Sequence, residues 1–157
     1  VSGGAREAAR RVLRRVEQGQ AYATLALGGA LAGLSAADRG LATEIVYGVL
    51  RHRARLDRAL AAQAPRGLKL PPGGMAALRV AAYQLLFLRV PAHAAVDDAV
   101  EAVKRLAGAP LAKFANAVLR RLSEAGEPPP PSDPWARLEA VHSLPRWIAE
   151  RLPDGEA

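Results

Sequence analysis

The sequence predicts an all-α fold, and three observations predict it. Apolar residues recur at spacings of three and four along most of the 157 residues and nowhere settle into the alternation of a half-buried strand. Hydrophobic residues make up 50% of the chain but aromatic ones only 4%, so the core is built from Ala, Leu and Val, which suits closely approaching helices better than a sandwich of sheets. No internal repeat of about 20 to 50 residues is present that would turn the helices into a solenoid. The length allows one domain with a real core and a short appendage.

Taken in order, Ala5, Ala8, Ala9, Val12, Leu13 and Val16 define an amphipathic first helix from Ala5 to about Glu17, closed by Gly19. A second helical run, Ala23 to Leu34, is weakened by Gly28-Gly29, which close packing of a neighbour would justify. Ser35 or Asp38 caps a third helix with its stripe at Leu41, Ile45, Val49, Leu56 and Leu60, expected to bend near His52. The segment from Ala64 to Gly74 carries three prolines and three glycines and separates two helical halves.

The fourth helix, Met75 to Leu88, is apolar on nearly every face and reads as a central rod ended by Pro91. Interrupted by Arg79, it falls short of the roughly 20 apolar residues that span a bilayer. A fifth helix covers Ala94 to Leu106 and is closed by Gly108-Ala109-Pro110; a sixth covers Leu111 to Glu124. Four prolines, Pro128 to Pro131, then make an extended, semi-rigid spacer. Behind it Trp135, Leu138, Val141, Leu144, Trp147 and Ile148 form an apolar set at helical spacing, started by Asp133-Pro134. The expected division is 1–127 for the helical domain and 128–157 for spacer and helical connector. Val1-Ser2-Gly3-Gly4 has no signal-peptide pattern and no start methionine, so the N-terminus reads as processed, trimmed or engineered, the chain is expected to be a fragment, and nothing points to secretion.

The net charge of +7 makes a polyanion the first partner to consider. Only three of the 22 basic residues are lysine, which a GC-rich genome would also produce, but such a bias sets the type of base and not its excess. Arg6, Arg10 and Arg14 stand four apart, with Arg11 and Arg15 repeating the step beside them. Five guanidinium groups are thereby predicted along one side of the first helix. Arginine forks grip phosphate oxygens in pairs and release condensed counterions on binding. The bland alternative, a solvated face with pairs such as Glu7 with Arg11, leaves most of these cations unpaired. A second cluster, Arg51, His52, Arg53, Arg55 and Arg58, with Asp57 as a partial neutraliser, reads equally as cations at a helix C-terminus.

There is no cysteine, which excludes disulfides, thiolate metal sites and a cysteine nucleophile in this chain. His52, His93 and His142 have no metal-binding spacing, and Asp97-Asp98 has no nearby base or nucleophile, so both sets read as packing or solvated groups. No glycine-rich phosphate loop, serine elbow or dinucleotide fingerprint occurs. No catalytic residue, metal site or cofactor is expected here.

Three segments together resemble the NusB-like N-terminal domains of the ribosomal RNA small-subunit methyltransferase B (Sun/Fmu) family. They are Asp38-Arg39 with Glu44 to Arg51 and Leu56-Asp57; Tyr83-Gln84-Leu85-Leu86 with Arg89-Val90-Pro91, His93 to Val96 and Val100-Glu101; and Lys113 to Arg120. The tail from His142-Ser143-Leu144-Pro145-Arg146-Trp147 to Leu152 resembles the connector into that family's catalytic domain. The resemblance implies a bundle of two three-helix subdomains whose basic face binds structured RNA without a cofactor. It also implies that S-adenosylmethionine and the cytosine-5 chemistry belong to a methyltransferase domain outside this chain. Of the family's RNA-binding positions Arg6, Lys113 and Phe114 match, whereas Arg10, Arg11, Arg14 and Arg15, like Arg51 and Arg53, rest on helical position alone; Phe114 reads equally as core.

The expected function is therefore an RNA-docking module that holds ribosomal RNA for a cytoplasmic methyltransferase and contacts that enzyme's catalytic domain through Trp135 and Trp147. Two other readings stand beside it. One is a free-standing NusB-like transcription antitermination factor with a small ribosomal protein as co-binder, against which the proline spacer and tryptophan tail argue. The other is a helical protein-interaction adaptor.

Overall fold

A computed structural model describes residues 2–19 and 22–151, and side chains from Gly4 onward within them. Val1, and the connector from Leu152 to Ala157, lie outside the described residues. The described chain is helical throughout, as expected. Its elements are α1 (Ser2–Glu17), α2 (Ala23–Ala30), α3 (Ala36–Arg51), α4 (Arg53–Ala62), α5 (Pro72–Tyr83), a π-helical turn (Gln84–Leu88), α6 (Ala92–Ala107), α7 (Ala109–Ala125), α8 (Pro134–His142) and α9 (Arg146–Ala149). One group packs α2 and α3 on α1, a second packs α5, α6 and α7 together, and α1 and α3 meet α5 between the groups. The main apolar core runs through both, and a small separate cluster of Ala5, Ala8 and Ala42 lies between α1 and α3.

The α5 rod is central because it has no polar face to turn outward: every residue from Ala76 to Tyr83 is buried. It begins with Pro72 in the first turn, where a missing N–H costs nothing. Its continuation differs from the uninterrupted helix expected to Leu88. At Gln84 the helix widens into the π turn, and Arg89 follows in the left-handed region at φ 52° before Val90-Pro91 ends it. Gln84 is fully buried, with its Nε2 donating to the Val80 carbonyl at 3.0 Å.

The expected long third helix is two helices. His52 leaves helical geometry at φ −110° and ψ 21°, and its ring lies on Phe87 with centroids 4.5 Å apart, so α4 starts on a new axis. Ser35 caps α3 by accepting from the Asp38 N–H at 3.1 Å. Gly48 of α3 is fixed by packing: a Cβ there would fall on the ring of Tyr83. By contrast nothing lies within 4 Å of a Cβ placed on Gly28 or Gly29, so the neighbour expected to justify them is not there; α2 stops at Ala30.

An ion pair corrects a further expectation. Arg79, on the buried face of α5, donates to Asp57 at 2.7 and 3.1 Å and also pairs with Glu17. Asp57, its side chain 36% exposed, is thus held by Arg79 and makes no ion pair with the arginines of α4 among the described residues. The proline segment is held, since Glu127 pairs with Arg55 and the carbonyls of Pro128 and Pro129 accept from Arg58. Beyond it α8 lies on α4. Trp135 is half-buried there, but Trp147 is 62% exposed and stands outside the apolar set predicted for it.

Candidate nucleic-acid interface

The site is built on α1, and the structure divides the five arginines expected along it. Arg6 is only 7% exposed and donates from Nε to Oε1 of Gln84 at 2.7 Å. Arg10 pairs with Asp98 of α6, their side chains 11% and 16% exposed. These two face inward, because a helix turns about 100° per residue and positions 6 and 10 fall on the flank toward the π turn and α6. A single exposed stripe of five is therefore corrected to three: Arg11, Arg14 and Arg15 are exposed. Arg11 shares Glu7 at 3.1 Å in a solvent-exposed pair one turn apart, an interaction worth only a few tenths of a kcal/mol. Neither Arg14 nor Arg15 has a carboxylate within 4 Å among the described residues.

On one flank of this stripe, α6 and the first turn of α5 close an open cleft of about 370 Å³. Arg105 enters it from α6, a residue that the sequence reading passed over. The signal for it in the sequence is the adjacent basic pair Lys104-Arg105 in the last turn of α6. On the other flank Arg15 borders a hollow with Tyr22 and Leu25, which are 81% and 73% exposed.

The remaining candidates are scattered. Arg51 is exposed, and Arg53 is half-exposed with its guanidinium 3.7 Å from Glu17. Arg55 is committed to Glu127 and to the face of Phe87, 4.8 Å from the ring centroid. His52, stacked on Phe87, has its pKa lowered first by burial and then by Arg55 and Arg51, which favours the neutral ring. Lys113 is exposed on α7, and the adjacent Phe114 is half-buried against the core. Burial and the hydrogen bond that it donates to Glu44 at 2.8 Å push Tyr83 up to about 12, so it serves as a structural donor. Among the described residues no group of three or more His, Cys, Asp or Glu could hold a metal ion.

Fold and surface together define the class: an all-helical domain presenting arginine toward solvent from one helix. Its sequence makes the assignment particular. The NusB family model matches residues 4–124, and the chain belongs to the NusB family. A Mycobacterium tuberculosis protein named as a methyltransferase is 38% identical over 161 residues, covering 96% of this chain and 35% of that one. The ribosomal RNA small subunit methyltransferase B of Pseudomonas putida is 36% identical over 152 residues, covering 94% and 34%. The chain thus spans about a third of the length of these relatives, and it corresponds to their NusB-like part. A chain in the crystal structure of a plectonemic RNA supercoil shares the fold, with a TM-score of 0.71 at 23% identity over 78% of this chain and 94% of that one.

Proposed function

We propose that this domain docks ribosomal RNA for a methyltransferase, and that Arg11, Arg14 and Arg15 of α1 form the centre of the docking surface. The observation that carries this reading is the exposed stripe itself. Of three guanidinium groups on neighbouring turns only that of Arg11 has a carboxylate partner, exposed Glu7, and a phosphate backbone relieves their mutual repulsion. Membership of the NusB family and the likeness to ribosomal RNA methyltransferases support RNA as the ligand class. Lys113 and the exposed edge of Phe114 on α7, with Arg51 and Arg53, are secondary contacts in this proposal. Arg6 and Arg10 support the surface from behind, through Gln84 and Asp98.

In this reading residues 1–127 bind RNA and 128–157 lead toward the catalytic part, for which exposed Trp147 is the natural contact. Methyl transfer from S-adenosylmethionine to a cytosine belongs to that catalytic part. In this reading the protein acts in the cytoplasm, on ribosomal RNA. The test is fluorescence anisotropy with a labelled ribosomal RNA hairpin at two salt concentrations, comparing the protein with a variant carrying alanine at Arg11, Arg14 and Arg15. Salt-sensitive binding that the variant loses supports the surface. Equal binding by both removes it.

A further inference from the structure

We propose that the cleft between α1, α6 and the first turn of α5 is the seat of one RNA phosphodiester, gripped by Arg14 from one wall and Arg105 from the other. This rests on the RNA-docking reading and deepens it, because it fixes where the backbone enters and adds a ligand from a second helix.

Charge accounting inside the cleft carries the inference. Four arginines and one carboxylate line it. Arg10 is already matched by Asp98, and Arg11 is shared with Glu7. That leaves Arg14 and Arg105, exposed and with no carboxylate within 4 Å among the described residues, facing one space of about 370 Å³. Two like charges brought together by helices about ninety residues apart in sequence repel unless an anion lies between them. A phosphodiester has two unesterified oxygens, one for each fork.

Gly73 sharpens the geometry. A Cβ at this position would lie 2.7 Å from Cδ2 of Leu106 and 3.5 Å from an Nη of Arg14. The close approach is that of Leu106, while the Arg14 guanidinium lies at ordinary contact distance from the same point, beside the first turn of α5. The 12-residue helix presents the positive end of its dipole there, in the same sense as the two arginines. Arg11 of the exposed stripe also lines this open cleft, so a strand crossing α1 meets it.

The same chemistry has a second source, free inorganic phosphate, and the experiment separates the two. Binding of a labelled ribosomal RNA hairpin is measured against salt for the wild type, Arg14→Gln, Arg105→Gln and Arg105→Lys, with thermal melts to verify folding. In parallel, inorganic phosphate is titrated while the arginine Nε–H signals are followed by NMR. Either Gln variant is expected to weaken binding several-fold and to flatten the log–log salt slope by about 0.9 for a duplex contact. Arg105→Lys, which keeps the charge and loses the fork, is expected to retain the slope with reduced affinity. If the wild type binds RNA in a salt-sensitive way and neither Gln variant changes affinity or slope, the seat is refuted while RNA docking stands. If the wild type binds no RNA, both fall. If phosphate saturates the cleft and RNA does not displace it, the cleft is an anion site for free phosphate and the RNA assignment is overturned.

Discussion

Arg6 and Gln84 meet inside the protein, the Nε of one donating to the Oε1 of the other at 2.7 Å with the pair 7% and 0% exposed. The arginine that the sequence places at the head of a surface stripe is thereby a structural residue. Replacing Arg6 with alanine leaves a buried amide oxygen without that donor, a loss of about 1–3 kcal/mol. Arg15→Ala is expected to change stability by no more than about 0.5 kcal/mol. Urea unfolding of the two variants checks the contrast; equal stabilities would contradict it.

Gly48 and Tyr83 make a second such contact, between α3 and α5. A Cβ on Gly48 would overlap the Tyr83 ring, which is held at its far end by Glu44. Gly48→Ala must displace the ring, and overpacking of this kind costs about 1–3 kcal/mol. The expected result is a Tm several degrees lower, since about 1 kcal/mol shifts a domain of this size by about 2–4 °C.

Arg79 joins α5 to both Asp57 and Glu17. Burial opposes its charge, and the two carboxylates more than offset that, so its pKa is raised. Arg79→Met fills similar space but leaves Glu17, whose side chain is 14% exposed, with only the longer pairing to half-exposed Arg53 at 3.7 Å. A loss of about 3 kcal/mol is expected. The loss should be much the same at low and high salt, because a partly buried pair is little screened; a loss that disappears in high salt would contradict the buried pairing.

His52 sets an acid limb. Its folded pKa lies below the ordinary 6.5, chiefly through burial with Arg55 and Arg51 adding. The unfolded chain then takes up the proton more readily, so the stability from neutral His52 is full above pH 6.5 and is lost as pH falls through the folded value. His52→Phe keeps a ring against Phe87 and removes the proton. Thermal melts from pH 8 to pH 5 should show a smaller fall in Tm for the variant than for the wild type, and parallel curves would refute the assignment.

Helix class and the burial of α5 were legible because both follow from residue spacing, and the family was legible from short segments such as Glu44 to Arg51 and Lys113 to Arg120. Helix phase also identified Arg11, Arg14 and Arg15 as a surface group. What spacing does not encode is which neighbour each side chain meets. Asp98 and Gln84 lie far along the chain from Arg10 and Arg6, and their capture of those arginines depends on how α6 and the π turn approach α1. The same holds for Asp57, paired with Arg79, and for Arg105, which joins the candidate surface because α6 and α1 line one cleft. The break at His52 depends on Phe87, thirty-five residues later.

The most direct test of the account is the salt dependence of ribosomal RNA hairpin binding for the wild type and for the variant with alanine at Arg11, Arg14 and Arg15. The account predicts that the log–log slope of the variant is shallower by about two to three units, at a contribution of about 0.9 per phosphate contact, while its thermal unfolding stays close to that of the wild type. An unchanged slope and affinity in a folded variant would contradict α1 as the RNA-docking surface.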